Sequence, residues 1–303
     1  MNNIILTQQN DPFLLQCLLA QRSEYTQAKI ASRNKLIIIT LFTIFSMYSL
    51  TDDSDILSAI ASLFAVVLII FNKNSEKHIS SLQKHAASIQ HYFDATLFAS
   101  AIGGTKDEWG ELLNKSDLAN SISNIIATDT TDVRNWYRVS TSLPVTSQIF
   151  YCQRQNVRWE QELRKSYIYL QIGIFLFVTL TMLATLLFIN PSVVKVISMS
   201  SCLVSIGEHT YSICRQIIGN ILLSQKIESL CDHIENKITE DHYQPTKNDL
   251  IRLQHKIKEN RENCYLIPDW FYRIQKEEYQ KREETISRII DCFHRESGHE
   301  KKD

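Results

Sequence analysis

Hydrophobic and polar positions divide this chain into four apolar stretches separated by amphipathic ones. Leu36–Thr51 and Ile56–Asn72 carry no charged residue. As helices they would measure about 24–26 Å, against a bilayer hydrocarbon core of about 30 Å. Arg33, Lys35 and Lys73 flank them and can snorkel to the interface. Ser166–Asn190 is longer and strongly apolar. Val193–Ile213 is weaker, since it contains Lys195, Glu208, His209 and several serines. Asn190-Pro191-Ser192 marks a tight turn between the last two, so the fourth stretch either returns through the bilayer or lies along its surface.

Outside these stretches the apolar spacing is helical. Asp11-Pro12 reads as an N-cap and first helical position ahead of Leu14, Leu15, Leu18, Leu19 and Tyr25. Ile79, Leu82, Ala86, Ile89, Phe93 and Leu97 continue a helix out of the second stretch. His78, His85 and His91 on that helix read as solvated. Gly103-Gly104 and Lys106–Gly110 mark a loop, Leu118–Ala127 a short helix, and Asp129–Pro144 another loop. Helix resumes near Thr146. After the fourth stretch it runs on through Ile238, Thr246 with Asp249 forms a capping box, and Pro268-Asp269 opens the last helix. No run alternates with period two.

Basic residues bracket the apolar pairs, and the tips between the paired stretches are nearly free of them. Arg22, Lys29, Arg33 and Lys35 precede the first stretch, and Lys73, Lys77 and Lys84 follow the second. Arg154, Arg158, Arg164 and Lys165 precede the third, and Arg215 and Lys226 follow the fourth. The first tip, TDDSD, has no Lys or Arg, and the second has only Lys195. The positive-inside rule then places both termini and the middle region in the cytoplasm. The expected fold is an all-α multi-pass membrane protein with four transmembrane helices in two hairpins and a helical cytoplasmic body. Residues 1–35 form a cytoplasmic N-terminal helix, 36–72 and 166–213 the hairpins, and 73–165 and 214–303 the cytoplasmic helices.

The chain has 32 Lys+Arg against 33 Asp+Glu, which argues against a protein devoted to gripping DNA. Its 7 cysteines include no C-x-x-C pair, so a disulfide scaffold or zinc ribbon is not expected. Cys292, His294 and His299 have loose metal-like content but sit in a tail expected to fray, so no metal site is expected there. No cleaved signal is expected at the N-terminus. Nucleotide-binding glycine loops and the common hydrolase motifs are absent, so neither enzymatic activity nor a cofactor is expected.

Several soluble blocks, in order, resemble the SMODS-associated four-transmembrane family of bacterial effectors. These are Ala20-Gln21-Arg22 with Tyr25 and Ala28-Lys29; Phe93-Asp94 with Phe98; and Asp132 to Tyr137 (DVRNWY). They continue with Cys152 to Asn156 (CQRQN), then Trp159, Leu163-Arg164 and Tyr167, and end with Ile267 to Tyr272 (IPDWFY). After Phe98 the family pattern has an apolar Pro-Trp step, whereas this chain reads AIGGTKDEW. The resemblance implies an antiphage or conflict role at the bacterial inner membrane. A partner nucleotidyltransferase would make a cyclic or linear oligonucleotide messenger, and the effector would respond by perforating the membrane. Four spans are too few for a wide pore in one chain, so a homo-oligomer is expected. The rival is a membrane-tethered sensor or scaffold that never conducts.

Within that frame two residue sets carry candidate chemistry. At about 100° per residue Ser198, Ser201, Ser205, Glu208 and Ser212 share one sector of the fourth span. They can line a pore, pack against the third span, or face water in an interfacial helix. Ser58-x-x-x-Ser62 and Ala61-x-x-x-Ala65 suit helix pairing in the second. Arg134, Trp136 and Tyr137, with Arg154, Arg158 and Trp159, form two basic-aromatic clusters. Guanidinium forks suit phosphates and aromatic rings stack on bases, so these clusters are the candidate messenger site. Juxtamembrane anchoring, salt bridges and core aromatics are the alternative. Asp269 to Tyr272 reads as a capped packing element.

Overall fold

The computed structural model describes residues 4–49, 55–125, 129–189, 193–240 and 243–299. The described residues are helical almost throughout and contain no strand. A short α1 (Ile4–Gln8) leads into α2 (Pro12–Ser49), and α3 (Asp55–Ala101) returns beside it. A small helix, α4 (Lys115–Ser123), precedes the second long pair, α5 (Val145–Ile189) and α6 (Val193–Glu240). Finally α7 (Lys247–Asn263) and α8 (Asp269–His299) pack back on the body. Single 3₁₀ turns occupy Lys106–Trp109 and Thr131–Val133.

Local chemistry sets most of the starts and stops. The Asp11 carboxylate accepts from the backbone N–H groups of Phe13 (2.9 Å) and Leu14 (3.4 Å) to start α2. Asn114 caps α4 through the Asp117 N–H at 2.8 Å. Thr246 and Asp249 close a reciprocal capping box on α7. Gly103 ends α3 with φ 67°, and the Gly104 N–H then donates to the Ala99 carbonyl five residues back. The next turn swings Trp109 fully inside, 5.6 Å from the Phe98 ring.

Each long helix runs from the body into an apolar segment without a break. At 38 to 48 residues they extend about 57–72 Å, enough for a bilayer crossing plus a comparable length beyond it. The pairs are antiparallel. Lys35 reaches Glu76 at 2.8 Å across α2 and α3. Arg164 donates to Ser224 at 2.9 Å across α5 and α6, and the Phe175 ring lies against Gly207 further along.

Core and apolar surface separate along these helices. In the body Leu18, Ile89, Phe93, Phe98, Phe150 and Leu250 are completely buried. Beyond it Leu41, Ile70, Leu176 and Phe177 stand exposed, Phe177 at 72%. Exposed apolar side chains in such number mark a surface meant for lipid or another protein. Among the described residues one helix segment is apolar enough over its length to cross a membrane, by composition alone: Val145–Thr181, 18% buried over its apolar window.

Three expectations change. His91 is not solvated: it is fully buried on the inner face of α3, where burial, helped by Lys258, His255 and Arg261, lowers its pKa to about 3. The helix expected over Leu118–Ala127 is α4, which its cap starts at Lys115 and which ends at Ser123. In the last helix Trp270 is half exposed while Phe271 packs against Tyr167 at 5.2 Å, so only part of that block is a packing element.

Candidate functional site

Behind the core sits a buried polar knot that joins five segments. Asp94 of α3 is inaccessible to solvent. It accepts from Arg261 (2.9 Å) and Gln254 (2.8 Å) of α7 and from the Tyr137 hydroxyl (2.5 Å). The same hydroxyl accepts from Asn156 of α5 at 2.8 Å, and Gln153 donates to the Gln254 side chain at 3.0 Å. Gln9 clamps the Tyr137 backbone, accepting from its N–H (2.7 Å) and donating to its carbonyl (3.2 Å). Burial and the Asp94 carboxylate push the Tyr137 phenol well above its ordinary pKa, so it stays a donor.

On the outer side of this knot opens a cavity of about 800 Å³. Arg261 forms part of its inner wall. From α2 come Gln21, Arg22, Tyr25 and Lys29; from α5, Gln155, Asn156 and Arg164. The Asp132–Trp136 loop and Arg138 make one side. Tyr265, Asp269, Tyr272, Arg273 and Lys276, from the last interhelix segment and α8, make the other.

The loop side is held in shape by an unusual backbone. Asn135 has φ 51°, a left-handed conformation that asparagine tolerates better than most residues. Its N–H donates to the Asn10 side-chain oxygen at 3.0 Å, and the Asn10 amide donates back at 2.9 Å. This reciprocal pair fixes the reversal between Arg134 and Trp136, and both of those line the cavity.

The lining is strongly cationic. Eight Arg or Lys side chains contribute, against the two carboxylates Asp132 and Asp269. Two further carboxylates stand just outside the lining, Asp94 behind Arg261 and Glu284 beside Arg138. Arg22 bonds Asp132 at 3.0 Å, and Lys276 approaches the other oxygen of Asp132 at 3.6 Å. These cations, Arg22 foremost, hold the Asp132 carboxyl below its usual range. Lys29 pairs with Asp269. Arg134 and Arg273 have no carboxylate partner among the described residues; Arg134 donates only to the Thr130 hydroxyl, at 3.2 Å. Four aromatic side chains (Tyr25, Trp136, Tyr265 and Tyr272) interleave with these charges. A site of this size, charge and ring content suits a ligand carrying several phosphates and flat bases.

The structure sorts the candidate residues. Arg134 and Trp136 line the cavity. Tyr137 does not: it is 1% exposed and belongs to the knot behind. Arg154 is committed elsewhere, bonded to Asp232 (2.9 Å) and Glu235 (2.5 Å) of α6, because its position on α5 turns it away from the cavity. Arg158 is half-buried on α5 and is not part of the lining. Trp159 and the five pore candidates Ser198, Ser201, Ser205, Glu208 and Ser212 have helical backbones in α5 and α6, and their side chains lie outside the described residues. Spacing along the chain missed Arg164, Arg273 and Lys276 as cavity-lining residues and used Arg22 and Lys29 only as topology markers. A usable signal existed, since Gln21-Arg22, Tyr25, Lys29, the Asp132 loop, Gln155-Asn156, Arg164 and Asp269 all belong to the blocks described above. The fold gathers those separated blocks around one cavity.

Fold and cavity together define an all-helical protein whose long hairpins end in exposed apolar surface and whose body holds a cationic, aromatic pocket. The chain belongs to the SMODS-associating 4TM effector domain family, whose model matches residues 3–288. By that description the family groups SMODS-associating effector domains of four-transmembrane type. Neither a curated protein nor a solved structure matches the chain.

Proposed function

We propose that this protein is a non-enzymatic, pore-forming effector of a bacterial nucleotide-messenger defence system, and that the cationic cavity receives the messenger. The observation that carries the reading is the convergence of the family-type blocks on a cavity lined by eight Arg or Lys side chains with interleaved aromatic rings. The ligand is a cyclic or linear oligonucleotide made by a partner nucleotidyltransferase. Residues 36–51, 56–72, 166–190 and 193–213 cross the inner membrane as two hairpins, with both termini and the cavity on the cytoplasmic side. Loop charges and the exposed Leu41, Ile70 and Phe177 support that arrangement. Messenger binding shifts the packing of the long helices, and oligomers open a path along the Ser198, Ser201, Ser205, Glu208 and Ser212 face of the fourth span.

The test is dye release from proteoliposomes holding the full chain, challenged with a panel of cyclic di- and trinucleotides. Leakage with one of them, lost in Arg134→Ala, is the expected result. Binding without leakage or loss of membrane potential would establish the sensor or scaffold instead. Turnover of the nucleotide without leakage would make the protein a membrane enzyme.

A further inference from the structure

The two carboxylates that line the cavity are the anomaly in a site otherwise built for anions. Both are engaged with cations a ligand would need: Asp132 with Arg22 and Lys276, Asp269 with Lys29. Carboxylate and phosphate compete for the same donor geometry on a guanidinium or ammonium group. We infer that Asp132 and Asp269 are resident counter-anions that occupy phosphate positions in the unliganded protein, and that a ligand's phosphates displace them. The inference rests on the messenger-site reading and adds its regulation.

Displacement has a mechanical consequence because of where the two residues sit. Asp269 is the first residue of α8, and Asp132 holds Lys276 two turns further along the same helix. Two more ion pairs, Arg138 with Glu284 and Arg282 with Glu162, continue the attachment. Among the described side chains its apolar anchorage is limited: Phe271 and Tyr279 are buried and Tyr272 packs beside them, while Ile274 is 70% exposed. Exposed ion pairs are individually weak, so α8 is held by contacts that a polyanion can exchange. When phosphates take Arg22 and Lys29, Asp132 and Asp269 lose their partners. Lys276 and Arg273 then turn to the ligand, and α8 re-docks in a new position. Phe271 of α8 packs on Tyr167 of α5, which links that movement to a long hairpin.

The experiment uses the full chain in nanodiscs, with inorganic tripolyphosphate as the probe and cyclic di- and trinucleotides alongside it. Asp132→Asn and Asp269→Asn are each expected to bind tripolyphosphate about tenfold more tightly, since each removes one competing charge-assisted bond. Asp232→Asn, which neutralises an ion-paired carboxylate outside the cavity, should leave binding within about twofold. Hydrogen exchange over residues 269–280 should change when tripolyphosphate is added to the wild type, and should already be changed in the double variant without it. The inference is overturned if tripolyphosphate binds none of the proteins. It is equally overturned if the cavity variants gain no more than Asp232→Asn, or if exchange in α8 stays the same at saturation. Nucleotides that bind the wild type and both variants equally would sink the inference and leave the messenger reading standing. Tripolyphosphate behaving as expected while no nucleotide binds would do the reverse.

Discussion

Replacing Asp94 with Asn removes the charge at the centre of the polar knot and leaves its shape nearly unchanged. Arg261, 2% exposed, then keeps a buried charge without its carboxylate. Removing one partner of a buried ion pair costs about 3–5 kcal/mol, a large part of the 5–15 kcal/mol that holds a typical domain together. For a chain of this size that corresponds to a fall in melting temperature on the order of 10 °C. The pair itself need not be strongly stabilising, because both charges were desolvated to make it. The double variant Asp94→Leu with Arg261→Met should therefore recover part of the loss. It still leaves Gln254 and the Tyr137 hydroxyl without their acceptor, at about 1 kcal/mol or more each. Thermal unfolding of the detergent-solubilised chain, followed by helical circular dichroism, ranks the three proteins. The reasoning fails if Asp94→Asn melts within about 2 °C of the wild type. It fails as well if the double variant melts no higher than Asp94→Asn.

Acid should weaken the body through His91. Its folded pKa is lowered to about 3 from 6.5, so below pH 6.5 the unfolded chain takes up a proton that the folded one refuses. Stability present above that pH is lost as the pH falls toward 3. By pH 5 the loss is about 2 kcal/mol, and His91→Gln should remove that part of the pH dependence in matched melting curves. Arg134→Ala and Arg273→Ala, at exposed positions without carboxylate partners among the described residues, should each weaken the bound nucleotide or tripolyphosphate about tenfold or more in calorimetry and leave melting unchanged. Tyr137→Phe should do the opposite, lowering the melting temperature by several degrees through the lost Asp94 and Asn156 bonds. Gly110→Ala should destabilise by about 1–3 kcal/mol, read from the same melts, because φ there is 107°, a conformation a residue with a side chain rarely adopts.

Much of the architecture was legible along the chain because it depends on local chemistry. The Asp11-Pro12 start, the Thr246–Asp249 box and the helix opening at Asp269 need only neighbouring atoms, and each appears where the spacing put it. The apolar stretches and their flanking charges are equally local. A surface helix and a helix buried on both sides differ less in pattern. That is why His91, on the inner face of α3, was read as solvated.

The candidate site was only half legible. Arg134 and Trp136 stood out because charge and ring adjoin in sequence, and they do line the cavity. Tyr137 shares that signature, yet an extra residue along an extended loop turns its side chain to the opposite side, into the core. For Arg154 the salt-bridge alternative holds, because α6 brings Asp232 and Glu235 beside it. Arg22, Arg164 and Arg273 are separated by more than a hundred residues from one to the next, and no spacing rule relates them.

What the residue order determined by itself was the helical class, the caps, the apolar segments and the direction of their flanking charge, all set within a few turns of chain. What the tertiary structure alone decided was which charges are cancelled and which remain. The electrostatic character of the cavity is a sum over α2, the Asp132 loop, α5, α7 and α8. Packing brings those five segments within a few ångströms of one another, at distances where ion pairs and hydrogen bonds form.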